Sequence, residues 1–378
     1  MTAGGLRVLG VGTLRSLNLL RWAGHLASAG QEVHVASPHA GHEGEIPPGV
    51  QSHIFRDLDP LLRVPGLRRT RIVPALRGLA RDVRPDVVHG HYLLPFGALT
   101  ARMGARPLVI SPWGTDALVD AREGRPGRAA AQEAVTAADA LVVNSAALEE
   151  ACLELGADPA RLHRIYWHVD LAPFGPDRAD GGLRARLGFP ADSFVVLSLR
   201  NFRPDTNLDV LVRAFARVVT EEPRARLVLA ARSGTLREEI ERLVRELGLA
   251  DRVAFHLAGP RELPSLVAAA DICVSLARSD STPPSLLEAM ASGRALVYAD
   301  AASIGEWVAQ GDGAEIVAQR DESGTARALL RLLGDESRRA LYGERNRRVV
   351  SERVEPAGPA LDRLYRELAA STTGPGLT

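Results

Sequence analysis

The feature that most limits how this chain can fold is the alternation of short apolar runs with amphipathic helical patterns. The runs are rich in Val, Leu, Ile and Ala and show no inside–outside alternation, which is typical of parallel strands buried on both faces. Because parallel strands need crossover helices, the pattern predicts doubly wound, Rossmann-like α/β sheets. The predicted strands are 6–11, 32–36, 86–89, 108–110, 140–143 and 163–166, then 194–199, 226–231, 253–256, 272–275, 295–298 and 315–317.

The alternation stops and restarts near the middle of the chain, in a segment rich in proline and glycine (172–192). A chain of 378 residues is also too long for one ordinary core. We therefore predict two domains, residues 1–171 and 172–355, with a C-terminal helix in 357–370 that packs back on the first. Parallel sheets bind ligands outside the carboxyl ends of their strands, so we expect the two sheets to face a central cleft.

Charge and composition exclude several classes of protein. The 46 basic residues balance 46 acidic ones, whereas a nucleic-acid binder usually carries a basic excess. All 46 basic residues are arginine, so no lysine can serve a site.

Cys152 and Cys273 lie in apolar runs, and no ligand spacing predicts a metal or a bound cofactor. We find no signal peptide and no run of 18 apolar residues, and we expect a cytoplasmic protein.

The strongest chemical signal is the segment 279–293, which reads SDSTPPSLLEAMASG and joins a predicted strand to a helix. Pro284 and Ser285 suit a first helical turn, whose free N–H groups and dipole suit an anionic phosphate. Asp280 falls in the loop and Glu288 on the second helical turn. In these positions the Asp280 carboxylate can bind sugar hydroxyls, and the Glu288 carboxylate can bind a ribose diol. The spacing alone leaves open a capped surface helix without a ligand.

This segment resembles the E-x7-E motif of the family-4 retaining glycosyltransferases, E-G-x-P-x-x-x-L-E-A-M-A-x-G. Asp280 stands where that family usually has Glu. Weaker resemblances follow in the family's order over most of the chain, at 86–91 (DVVHGH), 113–116 (WGTD), 168–174 (HVDLAPF, with His168 for Gly), 269–272 (AADI) and 306–321. The resemblance implies the GT-B fold and a nucleoside-diphosphate sugar as donor substrate in the second domain. It also implies that Glu288 binds the ribose and Asp280 orients the sugar.

The family places Arg and Lys after the first strand of the second domain, in G-R-L-x-x-x-K-G. Here the stretch 198–207 reads SLRNFRPDTN, with Arg200 at the family's arginine and Thr206 at its lysine. Arg203 could supply the second positive charge, since arginine binds phosphate bidentately. The alternatives are that Arg200 and the helix start near Ser285 suffice, and that Arg203 is a surface residue.

In the first domain the loop 10–15 reads GVGTLR, and Arg15 replaces the third glycine of a dinucleotide fingerprint, which disfavours a dehydrogenase. The resemblance implies that Gly12 lets the backbone approach the donor phosphate. It also implies that His91 contacts the donor sugar or the acceptor. Asp116 is a candidate for acceptor binding or proton transfer. Each residue also has an alternative without a ligand. Gly12 could simply form a tight turn, His91 could be a structural histidine, and Asp116 could cap its own loop.

The stretch 61–84 carries seven arginines against one acidic residue. It could make a weak peripheral contact with an anionic membrane, although a solvated helix face is the commoner outcome.

The resemblance predicts a glycosyltransferase that moves a sugar, with retention, to a hydroxyl of a glycan, lipid or small metabolite. Front-face displacement fits, because no protein nucleophile is evident; Arg200 would stabilise the departing diphosphate, and the loop 257–261 would contact the base. A GT-B nucleotide-sugar epimerase and a non-catalytic nucleotide-sugar-binding scaffold are the rival hypotheses. No motif identifies the base, the sugar, the acceptor or the oligomeric state.

Overall fold

The computed structural model describes residues 4–41, 46–55, 71–121, 125–231, 234–301 and 303–371. The chain separates into two compact units, Met1–Asp170 with Glu355–Thr378, and Leu171–Val354. Each unit contains a seven-stranded sheet whose neighbouring strands run parallel. The predicted α/β class, with two doubly wound parallel sheets, is confirmed.

The first unit has the strand order β3-β2-β1-β4-β5-β6-β7. Apolar side chains cover both faces of this sheet, as the unalternating strand sequences predicted. Its strands are β1 (Arg7–Val11), β2 (Glu32–Ser37), β3 (Val50–Ile54), β4 (Val87–His91), β5 (Leu108–Ser111), β6 (Ala140–Val143) and β7 (Leu162–Arg164). Its first helices are α1 (Leu17–Ser28), α2 (Val73–Val83), α3 (Ala98–Met103), α4 (Arg125–Ala137) and α5 (Ala146–Glu154).

The second unit has the strand order β10-β9-β8-β11-β12-β14-β13. Its central strands are fully buried, as Val196, Leu227 and Val297 show. Its strands are β8 (Phe194–Ser198), β9 (Ala225–Ala230), β10 (Val253–His256), β11 (Ile272–Ser275), β12 (Ala295–Ala299), β13 (Ala309–Gln310) and β14 (Gly313–Val317). Its helices are α6 (Leu183–Arg186), α7 (Leu208–Glu221), α8 (Arg237–Glu246), α9 (Leu263–Ala269), α10 (Pro284–Ala291), α11 (Glu322–Leu333) and α12 (Glu336–Arg353).

The last helix, α13 (Ala357–Ser371), packs on the first unit. The side chain of Tyr365 is fully buried, and its hydroxyl accepts a hydrogen bond of 2.9 Å from the indole N–H of Trp22. Pro359 lies in the first turn of this helix, where a missing N–H breaks no helical hydrogen bond.

Two strands of the structure are not among the predicted ones. The edge strand β3 was missed because its sequence, VQSHI, is polar and half exposed. The two-residue strand β13 was missed as well. Between β12 and β13 the chain forms only a short 3₁₀ turn, Ile304–Glu306, because β13 begins three residues later.

Each sheet reverses its strand order near its centre. In the first sheet the chain moves outward in both directions from the neighbouring strands β1 and β4, and in the second sheet from β8 and β11, except that β14 lies between β12 and the edge strand β13. The loops that follow the two strands diverge at such a place and open a crevice at the carboxyl ends. These two switch points are therefore where the fold favours ligand binding.

Candidate active site

At the switch point of the second sheet, two predicted site residues form an ion pair. Arg200 follows β8 and Asp280 follows β11, and a guanidinium nitrogen of Arg200 lies 2.6 Å from a carboxylate oxygen of Asp280. Both side chains are largely buried, with 16% and 21% of their surfaces exposed. The structure thus brings together the arginine and the carboxylate that the sequence assigned to the phosphate and to the sugar.

Burial and charge act in opposite directions on this pair. Burial raises the pKa of Asp280 above its ordinary value, although the Arg200 guanidinium opposes that shift. Burial alone would lower the pKa of Arg200, but Asp280, Tyr298 and Asp205 together outweigh burial, so the pKa of Arg200 is raised. Arg200 therefore stays a fixed positive charge at the carboxyl edge of the sheet.

Hydrogen bonds from the segment after β12 hold the loop that carries Asp280. The buried hydroxyl of Ser303 lies 2.8 Å from the carbonyl oxygens of both Asp280 and Ser281 and shares its single hydrogen between them. The indole N–H of Trp307 donates to the hydroxyl oxygen of Thr282 at 3.0 Å. Because all of these groups are buried or nearly so, the loop leading into α10 is fixed before any ligand binds.

The first turn of α10 has no side-chain cap within the described structure. Pro283 occupies the N-cap, Pro284 and Ser285 are the first two helical residues, and the turn contains no acidic residue. The positive end of the helix is therefore not neutralised by its own first turn. Glu288, one turn further on, is only 2% exposed. Burial raises the pKa of the Cys273 thiol in β11, and the charge of Glu288 adds to that shift.

Arg203 is not part of this ion pair, and more than half of its side chain is exposed. Its guanidinium donates to the Asp205 carboxylate at 3.0 Å. This is the surface position that was one alternative for Arg203. The negative charge of Asp205 contributes to raising the pKa of both Arg200 and Asp280.

Sequence reasoning missed two polar groups at the same edge of the sheet. Tyr298, near the end of β12, is 3% exposed, and burial raises the pKa of its hydroxyl. Ser198 ends β8 and buries a hydroxyl that has no partner among the described residues. Both lie in apolar strands, and only their position at the strand ends could have marked them.

At the switch point of the first sheet, Gly12 and His91 are neighbours. A Cβ atom added at residue 12 would lie 3.2 Å from the Cβ of His91, so only glycine fits without a shift. His91 is fully buried against His89 and Trp22, and neither of its ring nitrogens has a hydrogen-bond partner in the described chain. Burial lowers the pKa of His91 well below its ordinary value, so the ring is neutral.

Asp116 has the geometry of the loop-capping alternative. Its carboxylate is fully buried and accepts backbone N–H bonds from Leu93 at 2.5 Å, Trp113 at 3.0 Å and Gly114 at 2.8 Å. Burial raises its pKa to about 6, although these N–H groups and that of Ala117 act against the shift. Such a carboxylate holds its loop together and has little room to meet an acceptor hydroxyl.

Replacing Asp116 by asparagine is therefore expected to lower the free energy of unfolding by about 2 kcal/mol, because an amide NH₂ would face backbone N–H donors in a buried position. Chemical denaturation measures this loss. Asp120→Asn, at an exposed position four residues on, is the matched control and should leave stability unchanged. A variant of Asp116 that folds normally but loses turnover would instead support the proton-transfer role.

The remaining predictions concern charge, metals and membranes. Residues 61–70 of the arginine-rich stretch lie outside the described residues, and Arg77 donates to the carbonyl oxygens of Arg102 and Met103. Membrane contact through 61–84 stays a prediction. No helix in the described ranges has the length and hydropathy to span a membrane.

Among the described residues, no three His, Cys, Asp or Glu side chains are grouped to hold a metal, and both cysteines are buried thiols.

Comparison with known proteins shows the family of this chain. A family model described as "Glycosyltransferase Family 4" matches residues 19–173, and one described as "Glycosyl transferases group 1" matches residues 182–349. The D-inositol 3-phosphate glycosyltransferase of Corynebacterium aurimucosum is 32% identical over 282 residues, which are 70% of this chain and 67% of that protein. The chain belongs to the glycosyltransferases.

A second relative and a solved structure extend this result. The D-inositol 3-phosphate glycosyltransferase of Kineococcus radiotolerans is 34% identical over 289 residues, 69% of this chain and 66% of that protein. The match thus spans just under two thirds of the Kineococcus protein. Anabaena HepE in complex with UDP-glucose has the same fold, with a TM-score of 0.77 and 21% identity, covering 97% of this chain and all of that one.

Proposed function

We propose that this glycosyltransferase transfers a sugar, with retention, from a nucleoside-diphosphate sugar to an acceptor hydroxyl. The observation that carries the proposal is the buried arginine Arg200 at the switch point between β8 and β11, paired with Asp280 on the loop that leads into the uncapped start of α10. A guanidinium and a positive helix end together suit two adjacent phosphates.

The chemistry that follows needs no protein nucleophile. The bond between the anomeric carbon and the diphosphate oxygen breaks, and the acceptor oxygen bonds to the same face of that carbon. The acceptor proton passes to the departing diphosphate, which receives the electron pair of the broken bond. Charge on the diphosphate grows in this step, so Arg200 and the first turn of α10 bind it more tightly in the transition state than in the ground state.

The two carboxylates have separate roles in this proposal. Asp280, on a loop fixed by Ser303, accepts hydrogen bonds from the donor sugar and orients its anomeric carbon. Glu288 accepts hydrogen bonds from the ribose hydroxyls and positions the nucleotide. In the first unit, Gly12 and His91 are the residues we assign to the donor phosphate and the sugar or acceptor.

The comparisons suggest which substrates to test first. HepE was solved with UDP-glucose, and the relatives are named for D-inositol 3-phosphate. We propose a uridine-diphosphate sugar as donor and D-inositol 3-phosphate as the first acceptor. Calorimetry with UDP, GDP and ADP should show micromolar binding of one of them.

Product analysis then tests the activity itself. We expect a sugar on the acceptor with the anomeric configuration of the donor, as read from the proton coupling constant. Conversion of the donor to an isomer without any acceptor would favour the epimerase. Donor binding with no turnover against an acceptor panel would favour the scaffold.

The ion pair between Arg200 and Asp280 leads to a further prediction. In the free protein Asp280 neutralises the arginine that the donor diphosphate needs. Asp280→Asn should therefore tighten UDP binding by about fivefold, the equivalent of a partly exposed ion pair of about 1 kcal/mol. The same change should slow sugar transfer by at least about tenfold, because an amide orients the sugar hydroxyls less well than a carboxylate.

Asp271→Asn is the matched control for this variant. Asp271 pairs with Arg184 at 3.1 Å, both side chains are 24% exposed, and Asp271 directly precedes β11, at the opposite edge of the sheet. UDP affinity and turnover should stay at the wild-type level in that control. Weaker UDP binding in Asp280→Asn would show that Asp280 does not compete with the diphosphate.

A further inference from the structure

The hydroxyl of Thr206 is a buried polar group at the carboxyl edge of the second sheet to which the reaction above assigns no role. Thr206 ends a short 3₁₀ turn, Pro204–Thr206, in the loop between β8 and α7, and it is 3% exposed. Its hydroxyl lies 2.7 Å from the carbonyl oxygen of Arg203 and 3.0 Å from that of Asn201, and it shares its single hydrogen between them. The hydroxyl therefore closes the loop on the residue next to Arg200.

Two backbone hydrogen bonds hold other parts of this loop. The N–H of Leu236 donates to the carbonyl oxygen of Phe202 at 3.1 Å, and the ring of Phe202 is buried. The N–H of Arg278 donates to the carbonyl oxygen of Asp205 at 2.9 Å, which ties the loop after β8 to the loop after β11. The backbone that carries Arg200 is thus held by the protein itself before any ligand binds.

The guanidinium of Arg200 has a different partner in the free protein from the one that the reaction requires. It pairs with Asp280, and it must turn from that carboxylate toward the donor diphosphate. The loop must then keep the arginine in place, because a displacement of about 1 Å in an active site can slow a reaction by about 100-fold. Among the bonds that hold the loop, those of Thr206 come from a side chain, so a substitution can remove them.

We propose that Thr206 is a positioning residue of the donor site, whose hydroxyl holds the backbone beside Arg200 so that the guanidinium meets the departing diphosphate. The proposal rests on the proposed function and adds a residue that acts through Arg200 without touching the donor. Because the charge on the diphosphate grows during the reaction, loss of the hydroxyl should affect kcat more than the KM of the donor.

A double-mutant cycle with Arg200 tests this role. Thr206→Val keeps the shape of the side chain and removes the hydroxyl, and we expect it to lower kcat about tenfold, with the donor KM changed less than about threefold. In the Arg200→Ala background the same substitution should change kcat less than about twofold, since the group that Thr206 positions is gone. Thr206→Ser, which keeps the hydroxyl, should retain most of the activity. Thr206→Ala, which lacks the hydroxyl and is not β-branched, should repeat both results of Thr206→Val.

Thr325→Val is the matched control. Thr325 is also a buried threonine of the second unit, and its hydroxyl donates to the carbonyl oxygen of Asp321 at 2.7 Å near the start of α11. Its loss should lower thermal stability as Thr206→Val does and leave kcat unchanged.

Three results would overturn this role. These are wild-type kcat in Thr206→Val, a loss in the Arg200→Ala background as large as in wild type, and a fall in kcat for Thr325→Val equal to that for Thr206→Val. Failure of the proposed function has a different signature, because the wild-type protein itself would then show no sugar transfer. In that case the cycle is read on UDP affinity by calorimetry, where Thr206→Val should weaken binding about fivefold in wild type and have no effect in Arg200→Ala.

Discussion

Arg200→Ala is expected to slow sugar transfer by about 10²–10³-fold, the usual effect of removing one preorganised donor from a developing anion. The arginine is the buried positive charge at the switch point between β8 and β11, and the chain contains no lysine that could replace it. UDP binding should weaken as well, because UDP carries the charge of the leaving group. Steady-state kinetics with the preferred donor and calorimetry with UDP measure the two effects.

Two other arginine variants serve as controls for that experiment. Arg184→Ala breaks an ion pair of similar exposure, to Asp271, on the opposite edge of the same sheet. It should cost a similar amount of stability and leave turnover unchanged. Arg203→Ala removes an exposed arginine paired with Asp205, and we expect less than about a threefold change. A loss in Arg203→Ala as large as that in Arg200→Ala would mean that Arg203 fills the role of the missing lysine.

Much of the fold could be predicted because buried parallel strands have a simple sequence pattern. The strand β11, for example, lies where the apolar run 272–275 placed it, since a strand covered on both faces must be apolar throughout. The same rule fails at an edge. The strand β3 has one open side, so Gln51, Ser52 and His53 are tolerated in it and no apolar run marks the strand.

The candidate site divides along similar lines. Asp280 and Glu288 could be proposed as site residues because they match a motif of fixed spacing, and Arg200 because it follows the first strand of the second domain, as in the family's second motif. The sequence could not show that Arg200 and Asp280 pair with each other, because they are 80 positions apart and meet only when β8 and β11 lie side by side. Tyr298 was missed because a tyrosine in an apolar strand is usually part of the core.

Glu288 gives the second large prediction, which tests the nucleotide site from both the protein and the ligand. If its carboxylate accepts hydrogen bonds from the ribose diol, Glu288→Gln should weaken UDP binding by about 10–100-fold, as expected for charged hydrogen bonds of about 1.5–3 kcal/mol. In wild type, UDP lacking the ribose hydroxyls should be weaker by a similar factor. In Glu288→Gln, calorimetry should find the two ligands nearly equal, because the partner of those hydroxyls has been removed.

The matched control for this cycle is Glu315→Gln. Glu315 is another buried glutamate of the second unit, also 2% exposed, and it pairs with Arg331 at 2.5 Å. Its removal should lower stability yet preserve the preference for the intact ribose. The ligand comparison separates binding from folding, because a merely destabilised protein still discriminates between the two nucleotides. If Glu288→Gln continued to prefer intact UDP by the wild-type factor, the ribose would contact a different group and the assignment of α10 to the nucleotide would be wrong.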